Sequence, residues 1–229
     1  MLINKPNTSI IGHRGAAGLA FENTISSISK ALELGINCVE IDVWQIATGE
    51  LIVFHDAYLD RLTESTGPTD SLTYEQLSTI RLNNGEYIPT LDSVIEFVKQ
   101  HKIKVIVEVK HEKAIKATYE FMHNTLDYSD FTIGSFFHTS IMELKIEHPL
   151  VQTAIMFESV PVGLSDYLNL VNPDYVIVSN ETFNDHLVNT INKQSRRLIF
   201  YTVNTIHEME AVIHTKPHGI ITNYPNLFI

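Results

Sequence analysis

Short runs of apolar, β-branched residues alternate along the chain with longer segments in which apolar residues recur every three or four positions. The short runs are typical of buried strands and the longer segments of amphipathic helices, so their alternation indicates repeated βα units around a parallel sheet. Eight strands, seven of them followed by a helical segment, predict a compact (β/α)8 TIM barrel rather than an open doubly wound sheet. The predicted strands span residues 9–13, 37–43, 104–110, 131–136, 151–157, 174–179, 198–204 and 219–222.

One connection breaks this alternation, because about sixty residues separate the second predicted strand from the third. It opens with an extra apolar run at 50–54, passes through a turn-rich stretch and ends in a helical segment after Pro89. We predict that residues 1–229 form a single domain and that about 56–103 are a small insertion within it. An insertion on the carboxyl-terminal rim of a barrel would lie over the active-site face and shape the choice of substrate.

Helix starts are indicated by side chains that can accept a hydrogen bond from the first helical turn. Asn23 and Thr90 stand near the starts of two helical segments and are predicted as N-caps. Within the insertion, Thr73 and Gln76 have the spacing of a capping box.

Composition and charge narrow the class of protein. The 229 residues are 44% hydrophobic, which is enough for one sizeable core, and the lone Cys38 cannot form an internal disulfide. No apolar run reaches the roughly 20 residues that span a bilayer, and no signal peptide opens the chain, so we expect a cytoplasmic protein without stable membrane insertion. The net charge of −11 disfavours nucleic acid as a partner, although a few local cations could still hold a small anion.

Carboxylates share a face on two of the predicted strands. Side chains alternate in a strand, so Glu40 and Asp42 point one way, and in the third predicted strand Glu108 and Lys110 share a face. Three converging carboxylates without cysteine or paired histidines are hard oxygen ligands, suited to Mg²⁺ or Ca²⁺ rather than Zn²⁺. On spacing alone, salt bridges from Lys110 to Asp42 or Glu108 explain the pattern equally well.

Two of the eleven histidines follow apolar runs, at the points where the chain emerges from predicted strands. His13 and His55 titrate near neutral pH, and a pair of histidines offers one base and one acid. Taken singly, each is also explained as a structural histidine at the edge of the core. Arg14 supplies a fork of donors that matches a phosphate or carboxylate, and Gly15 lets the backbone approach a ligand closely.

Further polar and aromatic side chains stand at strand ends or in the loop after the first strand. They are candidates for the pocket wall or for support of the ligands, while helix capping and core packing are competing explanations. These candidates are Glu22, Asn23, Ser135, Phe136, Tyr201 and Asn204.

The order and spacing of several motifs are more specific than any one of them. With these motifs the chain resembles, from end to end, the glycerophosphodiester phosphodiesterase family, (β/α)8 barrels related to phosphatidylinositol-specific phospholipase C. The chain departs from the family pattern at Phe21, Tyr201 and Asn223, where the family usually has proline, tryptophan and aspartate, respectively. The motifs are HRG (13–15), ENT (22–24), EIDV (40–43), HD (55–56), IPTLDSV (88–94), VEVK (107–110), SF (135–136), YTVN (201–204) and ITNYP (221–225).

The resemblance implies metal-dependent hydrolysis of a small-molecule glycerophosphodiester, such as glycerophosphocholine or glycerophosphoethanolamine, to sn-glycerol 3-phosphate and an alcohol. Two alternatives stay open: a phospholipase-D-like hydrolase of lipid headgroups, and a barrel that only binds a phosphorylated ligand. The preferred alcohol, the nucleophile and the oligomeric state also stay open, with a homodimer as one option. The implied roles are divalent cation ligands (Mg²⁺ or Ca²⁺) for Glu40, Asp42 and Glu108, acid/base catalysis for His13 and His55, and phosphate binding for Arg14 and Lys110.

Overall fold

The structure is a computed structural model that describes residues 8–229. Its strands are β1 (Ser9–Gly12), β2 (Cys38–Gln45), β3 (Leu51–Val53), β4 (Lys104–Val109), β5 (Phe131–Ser135), β6 (Thr153–Phe157), β7 (Tyr175–Ser179), β8 (Arg197–Tyr201) and β9 (Gly219–Thr222). Its α-helices are α1 (Ile25–Glu33), α2 (Tyr74–Leu77), α3 (Leu91–His101), α4 (Ala114–Thr125), α5 (His138–Glu147), α6 (Leu164–Val171), α7 (Asp185–Lys193) and α8 (Ile206–Ile213). None of the helices in this part of the chain is long and apolar enough to cross a membrane.

Eight parallel strands close into a ring in the order β1, β2, β4, β5, β6, β7, β8 and β9. The ring closes because β1 pairs with β2 on one side and with β9 on the other. The predicted TIM barrel is therefore confirmed. The extra apolar run at 50–54 contains β3, which lies outside the ring and pairs antiparallel with β2.

Alternation along the strands divides the barrel into an outer core and an interior. Val39, Ile41 and Val43 of β2 are fully buried in the outer core, between the strands and the surrounding helices. The intervening Glu40 and Asp42 are also buried. A second cluster fills the barrel interior. Its fully buried members are Ile11, Ile106, Ala154, Met156, Ile177, Ile199 and Ile221.

The segment between β3 and α3 packs with residues of β2 and β3 around a small core. It contains 3₁₀ turns at Leu59–Arg61 and Thr69–Ser71 besides α2. The helix α3 packs instead in the outer core of the barrel. The predicted insertion at 56–103 therefore contributes part of this small core and also contains a barrel helix. The small core consists of Trp44, Ile46, Ile52, Phe54, Leu59, Leu62, Leu72, Leu77, Ile80, Leu82 and Ile88.

Two of the predicted caps are confirmed and one is wrong. Thr90 caps α3, and the capping box of Thr73 and Gln76 opens α2. The cap of α1 is Thr24, whose hydroxyl accepts a hydrogen bond from the backbone N–H of the helix's first turn at 3.1 Å. Asn23 does not cap the helix, because its backbone is left-handed (φ 59°) and its amide is bound to a strand residue.

Gly15 lies where the loop after β1 touches α1, and we expect Gly15→Ala to destabilise the protein by about 2–5 kcal/mol. Its φ is +86°, and an added Cβ would lie 2.5 Å from the carbonyl carbon of Ser27 and 2.7 Å from the backbone nitrogen of Ile28. Urea unfolding measures the loss. Gly35→Ala is the control, since it has a similar φ of +78° and no atom within 4 Å of the added Cβ, so only about 1 kcal/mol is expected. Equal losses in the two variants would contradict the steric explanation.

Candidate active site

A cavity of about 230 Å³ opens at the carboxyl ends of the barrel strands. This is the end of a (β/α)8 barrel at which catalytic groups usually lie. One side of the cavity is strongly polar. Its polar wall is formed by His13, Arg14, Glu40, His55, Glu108 and Lys110.

Three buried carboxylates converge at the base of this polar wall. Glu40 is 1% exposed, Asp42 0% and Glu108 7%. The parallel register of β2 and β4 places Asp42 directly beside Glu108. One oxygen from each of the three carboxylates lies within 4.8 Å of the others. The convergence expected from strand alternation is therefore present.

Two cationic side chains bind the carboxylates. Arg14 Nε lies 3.1 Å from Asp42 Oδ2, and the Arg14 backbone N–H donates to Glu40 Oε2 at 3.1 Å. Lys110 Nζ lies 2.5 Å from Glu108 Oε1 and 3.4 Å from Asp42 Oδ1. The salt bridges considered from the sequence thus exist. They supply two positive charges to three carboxylates, so they do not neutralise the cluster.

The acid groups respond to this shortage of positive charge. Burial raises the pKa of Glu40 well above its usual value, and the charges of Asp42 and Glu108 raise it further. Burial and the charge of Asp42 raise the pKa of Glu108 to about 7. Burial opposes ionisation of Asp42 as well, but Lys110 and Arg14 outweigh it and hold the pKa of Asp42 below its usual value.

The donor set fits a hard divalent cation. Glu40 Oε1 is buried and has no hydrogen-bond partner within the described chain, which is costly for a carboxylate oxygen. Glu40, Asp42 and Glu108 together present carboxylate oxygens and no sulfur or imidazole. Oxygen ligands of this kind suit Mg²⁺ or Ca²⁺. The residues present could therefore hold such an ion, although nothing in the geometry distinguishes the two.

Asn23 holds the central carboxylate in place. Its amide Nδ2 donates to Asp42 Oδ2 at 2.8 Å, and its Oδ1 accepts from the Asp42 backbone N–H at 3.2 Å. This double contact explains why Asn23 adopts a left-handed backbone instead of capping α1. Asn23 thus contacts the carboxylate cluster directly, and its role in supporting the site stays a prediction.

His13 is oriented by a residue from the far end of the chain. Its Nδ1 donates to Asn223 Oδ1 at 2.5 Å, which leaves Nε2, 3.8 Å from Glu40 Oε2, as the nitrogen free to exchange a proton. Burial, assisted by the charge of Arg14, lowers the pKa of His13 to about 4. The imidazole is accordingly neutral at pH 7 and can accept a proton.

His55 has a carboxylate partner instead. Its Nδ1 lies 2.6 Å from Asp56 Oδ1, so that Nε2 is again the free nitrogen. Burial lowers the pKa of His55, the Asp42 charge opposes this effect, and the Arg14 charge adds to it. The two histidines thus have the same free nitrogen but partners of different charge.

The opposite wall of the cavity is more apolar. Phe136 and Tyr201 line it, as expected, with their ring centroids 6.3 Å apart in an edge-on arrangement. Of the other members of this wall, Thr202 and Ile221 lie in the YTVN and ITNYP motifs but were not predicted as site residues, while Met156 and Glu158 lie in or just after β6, outside any motif. These additional lining residues are Met156, Glu158, Thr202 and Ile221.

Two other candidates lie outside the cavity lining. Ser135 is fully buried, and its hydroxyl donates to the carbonyl of Val109 at 2.7 Å, tying the ends of β4 and β5 together. Asn204 Oδ1 accepts from the backbone N–H of Asn223 at 2.9 Å. Asn204 thereby supports the residue that orients His13.

Glu22 bridges the site to the insertion. It accepts hydrogen bonds from Arg14 Nη1 at 2.7 Å and from Arg61 Nη2 at 2.7 Å. Sequence reasoning missed Arg61 and gave Asn223 no role. The only sequence signal for Asn223 was its departure from the aspartate that is usual in the resembling family.

A second cavity, of about 350 Å³, lies at the amino-terminal end of the barrel. It is lined by Lys104 and Arg197, but it has a single histidine, His218, and a single carboxylate, Asp130. It lacks the paired histidines and clustered carboxylates of the first cavity. The carboxyl-terminal cavity is therefore the candidate active site.

A closed (β/α)8 barrel with carboxylates, histidines and cationic side chains at this end has the groups that suit a metal-assisted reaction on an anionic substrate such as a phosphate ester. Residues 13–227 match the family model described as "Glycerophosphoryl diester phosphodiesterase family". The chain belongs to this family of phosphoric diester hydrolases.

Relatives and solved structures agree with this membership. A glycerophosphodiester phosphodiesterase of Caldanaerobacter subterraneus subsp. tengcongensis is 29% identical over 247 residues, covering 97% of this chain and 96% of the relative. The fold is similar to that of an Oleispira antarctica phosphodiesterase solved in complex with the product sn-glycerol-3-phosphate, with a TM-score of 0.90, 24% identity, and coverage of 98% and 95% of the two chains. A Thermotoga maritima glycerophosphodiester phosphodiesterase gives a TM-score of 0.84 at 24% identity, with 97% of each chain covered.

Proposed function

We propose that this chain hydrolyses small glycerophosphodiesters, such as glycerophosphocholine and glycerophosphoethanolamine, to sn-glycerol 3-phosphate and an alcohol. Family membership supports the reaction class, and the product held by the Oleispira antarctica structure supports the choice of substrate. The observation that carries the proposal is one cavity that combines paired histidines, two cationic side chains and a buried carboxylate cluster.

The polar wall suits a phosphodiester with one negative charge. Arg14 and Lys110 would bind its oxygens, since both side chains are held at the cavity by the carboxylates behind them. Glu40, Asp42 and Glu108 would hold Mg²⁺ or Ca²⁺. When bound, such an ion supplies a positive charge that offsets negative charge developing on the phosphoryl oxygens.

The histidines would carry the protons. One takes the proton of the attacking oxygen while the other gives a proton to the departing alkoxide. In both, the Nδ1 hydrogen bond to Asn223 or Asp56 fixes the tautomer and leaves Nε2 for this transfer. The attacking oxygen belongs to water, which gives sn-glycerol 3-phosphate directly, or to the neighbouring hydroxyl of the glycerol, which expels the alcohol and forms a cyclic phosphate that water then opens to sn-glycerol 3-phosphate.

We expect turnover of glycerophosphocholine to require a divalent cation. Enzymatic detection of sn-glycerol 3-phosphate, in protein treated with a chelator and then resupplied with Mg²⁺ or Ca²⁺, measures this. Chelation should abolish activity, and at least one ion should restore it, because the buried carboxylates are short of positive charge. Full activity in the chelator would overturn the cation site.

Two competing functions give different results in the same experiments. A phospholipase-D-like hydrolase would release headgroups from phospholipid vesicles faster than from glycerophosphocholine. A barrel that only binds would show calorimetric heat with glycerophosphocholine but release no product. Cytoplasmic location, a homodimer and the lack of a nucleic-acid partner stay predictions from the sequence.

A further inference from the structure

Arg61 joins the small core beside β3 to the candidate active site. It lies at the end of the 3₁₀ turn Leu59–Arg61, where its backbone carbonyl accepts a hydrogen bond from Asn83 Nδ2 at 3.1 Å. Its guanidinium binds two carboxylates at once. Arg61 Nε and Nη2 donate to Asp56 at 2.6 and 2.9 Å, while Nη1 and Nη2 donate to Glu22 at 3.0 and 2.7 Å.

Each of these carboxylates holds a different part of the polar wall. Asp56 accepts from His55 Nδ1 at 2.6 Å, and Glu22 accepts from Arg14 Nη1 at 2.7 Å. Arg61 is thus the link between the acid/base group that follows β3 and the phosphate-binding group that follows β1. The connected side chains are, in order, His55, Asp56, Arg61, Glu22, Arg14 and Asp42.

We infer that Arg61 is a positioning residue, which fixes the separation between His55 and Arg14 by clamping the carboxylates that orient them. This inference rests on the proposed function, because the two positioned groups act there on the same phosphodiester. A planar guanidinium has five donors in fixed directions and can bind two carboxylates side by side. A lysine ammonium in its place can reach one carboxylate well but cannot hold both in this geometry.

Charge explains why the clamp matters for geometry. Glu22 and Asp56 are 16% and 19% exposed, and Arg61 contacts both through a shared Nη2 atom. Without Arg61, the partly buried carboxylates of Glu22 and Asp56 would lose the cation that they share. Because like charges repel at short distance, the two carboxylates would then move apart. Separation of Asp56 from Glu22 would shift His55 relative to Arg14. A displacement of about 1 Å at a reacting group can cost about 100-fold in rate.

The expected signature is kinetic rather than thermodynamic. The Arg61 side chain is 50% exposed, and exposed ion pairs contribute little to the free energy of unfolding. Loss of the clamp should therefore lower kcat while the unfolding temperature changes only slightly. A purely structural role would instead lower the unfolding temperature and leave kcat of the folded fraction unchanged.

The test compares Arg61→Ala and Arg61→Lys with Arg81→Ala in the full-length protein, using glycerophosphocholine and Mg²⁺ or Ca²⁺. Arg81 is the matched control, since it lies in the same insertion but binds the Gly85 carbonyl and the Tyr87 hydroxyl. We expect Arg61→Ala to lower kcat by about 10- to 100-fold, with KM changing by less. Arg61→Lys should recover only part of this loss, and Arg81→Ala should stay within about twofold of the wild type.

A double-mutant cycle adds a readout of the clamp itself. Asp56→Asn and Arg61→Ala act on one network, so their combined loss of kcat should be clearly smaller than the product of the single losses. Wild-type kcat in Arg61→Lys, or multiplicative losses in the cycle, would overturn the inference even if Arg61→Ala failed to fold. Absence of sn-glycerol 3-phosphate in the wild-type reaction would instead overturn the proposed function.

Discussion

Replacing His13 by alanine should lower kcat for glycerophosphocholine by about 10²- to 10⁴-fold, the usual contribution of a general acid or base. Nε2 of this imidazole is the free nitrogen at the cavity, and burial lowers its pKa to about 4, so it is a neutral proton acceptor at pH 7. Asn223 remains in place in the variant but has nothing to orient. Steady-state kinetics at saturating substrate and metal measures the effect.

The matching control is His101→Ala. His101 is exposed at the end of α3 and bonds through Nδ1 to the backbone carbonyl of Phe97; it precedes the amino-terminal end of β4, whereas the cavity residue Glu108 lies near the carboxyl-terminal end of that strand. Its kcat should stay within about twofold of the wild type, as is usual for surface substitutions. If His13→Ala also kept kcat within tenfold, with a normal unfolding temperature, acid/base catalysis by His13 would be wrong.

Replacing Glu40 by glutamine should raise the stability of the metal-free protein and lower its enzymatic activity. In chelator, Glu40→Gln should unfold at a higher temperature than the wild type. The substitution removes a buried carboxyl whose charged form is disfavoured both by burial and by the neighbouring carboxylates. The side-chain oxygen of the glutamine can still accept the hydrogen bond that the Arg14 backbone N–H donates to Glu40. Each kcal/mol gained in the free energy of unfolding raises the unfolding temperature by about 2–4 °C in a chain of this size.

The same variant should bind Mg²⁺ or Ca²⁺ at least about 100-fold more weakly, since loss even of a side chain that supports a ligand costs 10- to 100-fold. Turnover at limiting cation should fall accordingly. Calorimetric titration with the cation and scanning calorimetry in chelator give the two measurements. Glu96→Gln is the control, because Glu96 lies on the exposed face of α3 and its only described side-chain partner is Gln100.

The stability gain of Glu40→Gln should depend on pH with a definite sign. The folded chain keeps the Glu40 proton at pH values where the unfolded chain, with a pKa near 4.5, has released it. The unfolded state then binds fewer protons at this group, so the contribution of Glu40 to the stability of the metal-free wild type falls as pH rises above about 4.5. The difference between the variant and the wild type should therefore be small near pH 4 and larger near pH 8. A pH-independent difference would contradict a raised pKa at Glu40.

Strand periodicity was enough to predict the barrel and the carboxylate cluster. Alternation along β2 separates Glu40 and Asp42 from the apolar residues beside them, and the parallel register with β4 brings Glu108 alongside Asp42. Both steps depend on local pattern plus one rule of sheet geometry. The positions of His13 and His55 at the cavity followed in the same way, from where apolar runs end.

Sequence patterns could not predict the partners of these groups. His13 and Asn223 are 210 residues apart, and Arg61 and Glu22 are 39 apart. Whether such side chains meet depends on barrel closure and on how the small core beside β3 packs, which no local pattern encodes. The misplaced cap at Asn23 has the same origin, because a tertiary contact with Asp42 overrides its preference for a helix start.

The closure of the ring through β9 has a consequence for biosynthesis. The His13 backbone N–H donates to the carbonyl of Thr222 at 2.8 Å, and the His13 ring depends on Asn223, so the first strand of the barrel is completed by the last. A chain emerging from the ribosome contains His13 long before it contains either partner. His13 therefore acquires its backbone partner and its ring partner only after β9 and the residue that follows it have been synthesised and have closed the barrel.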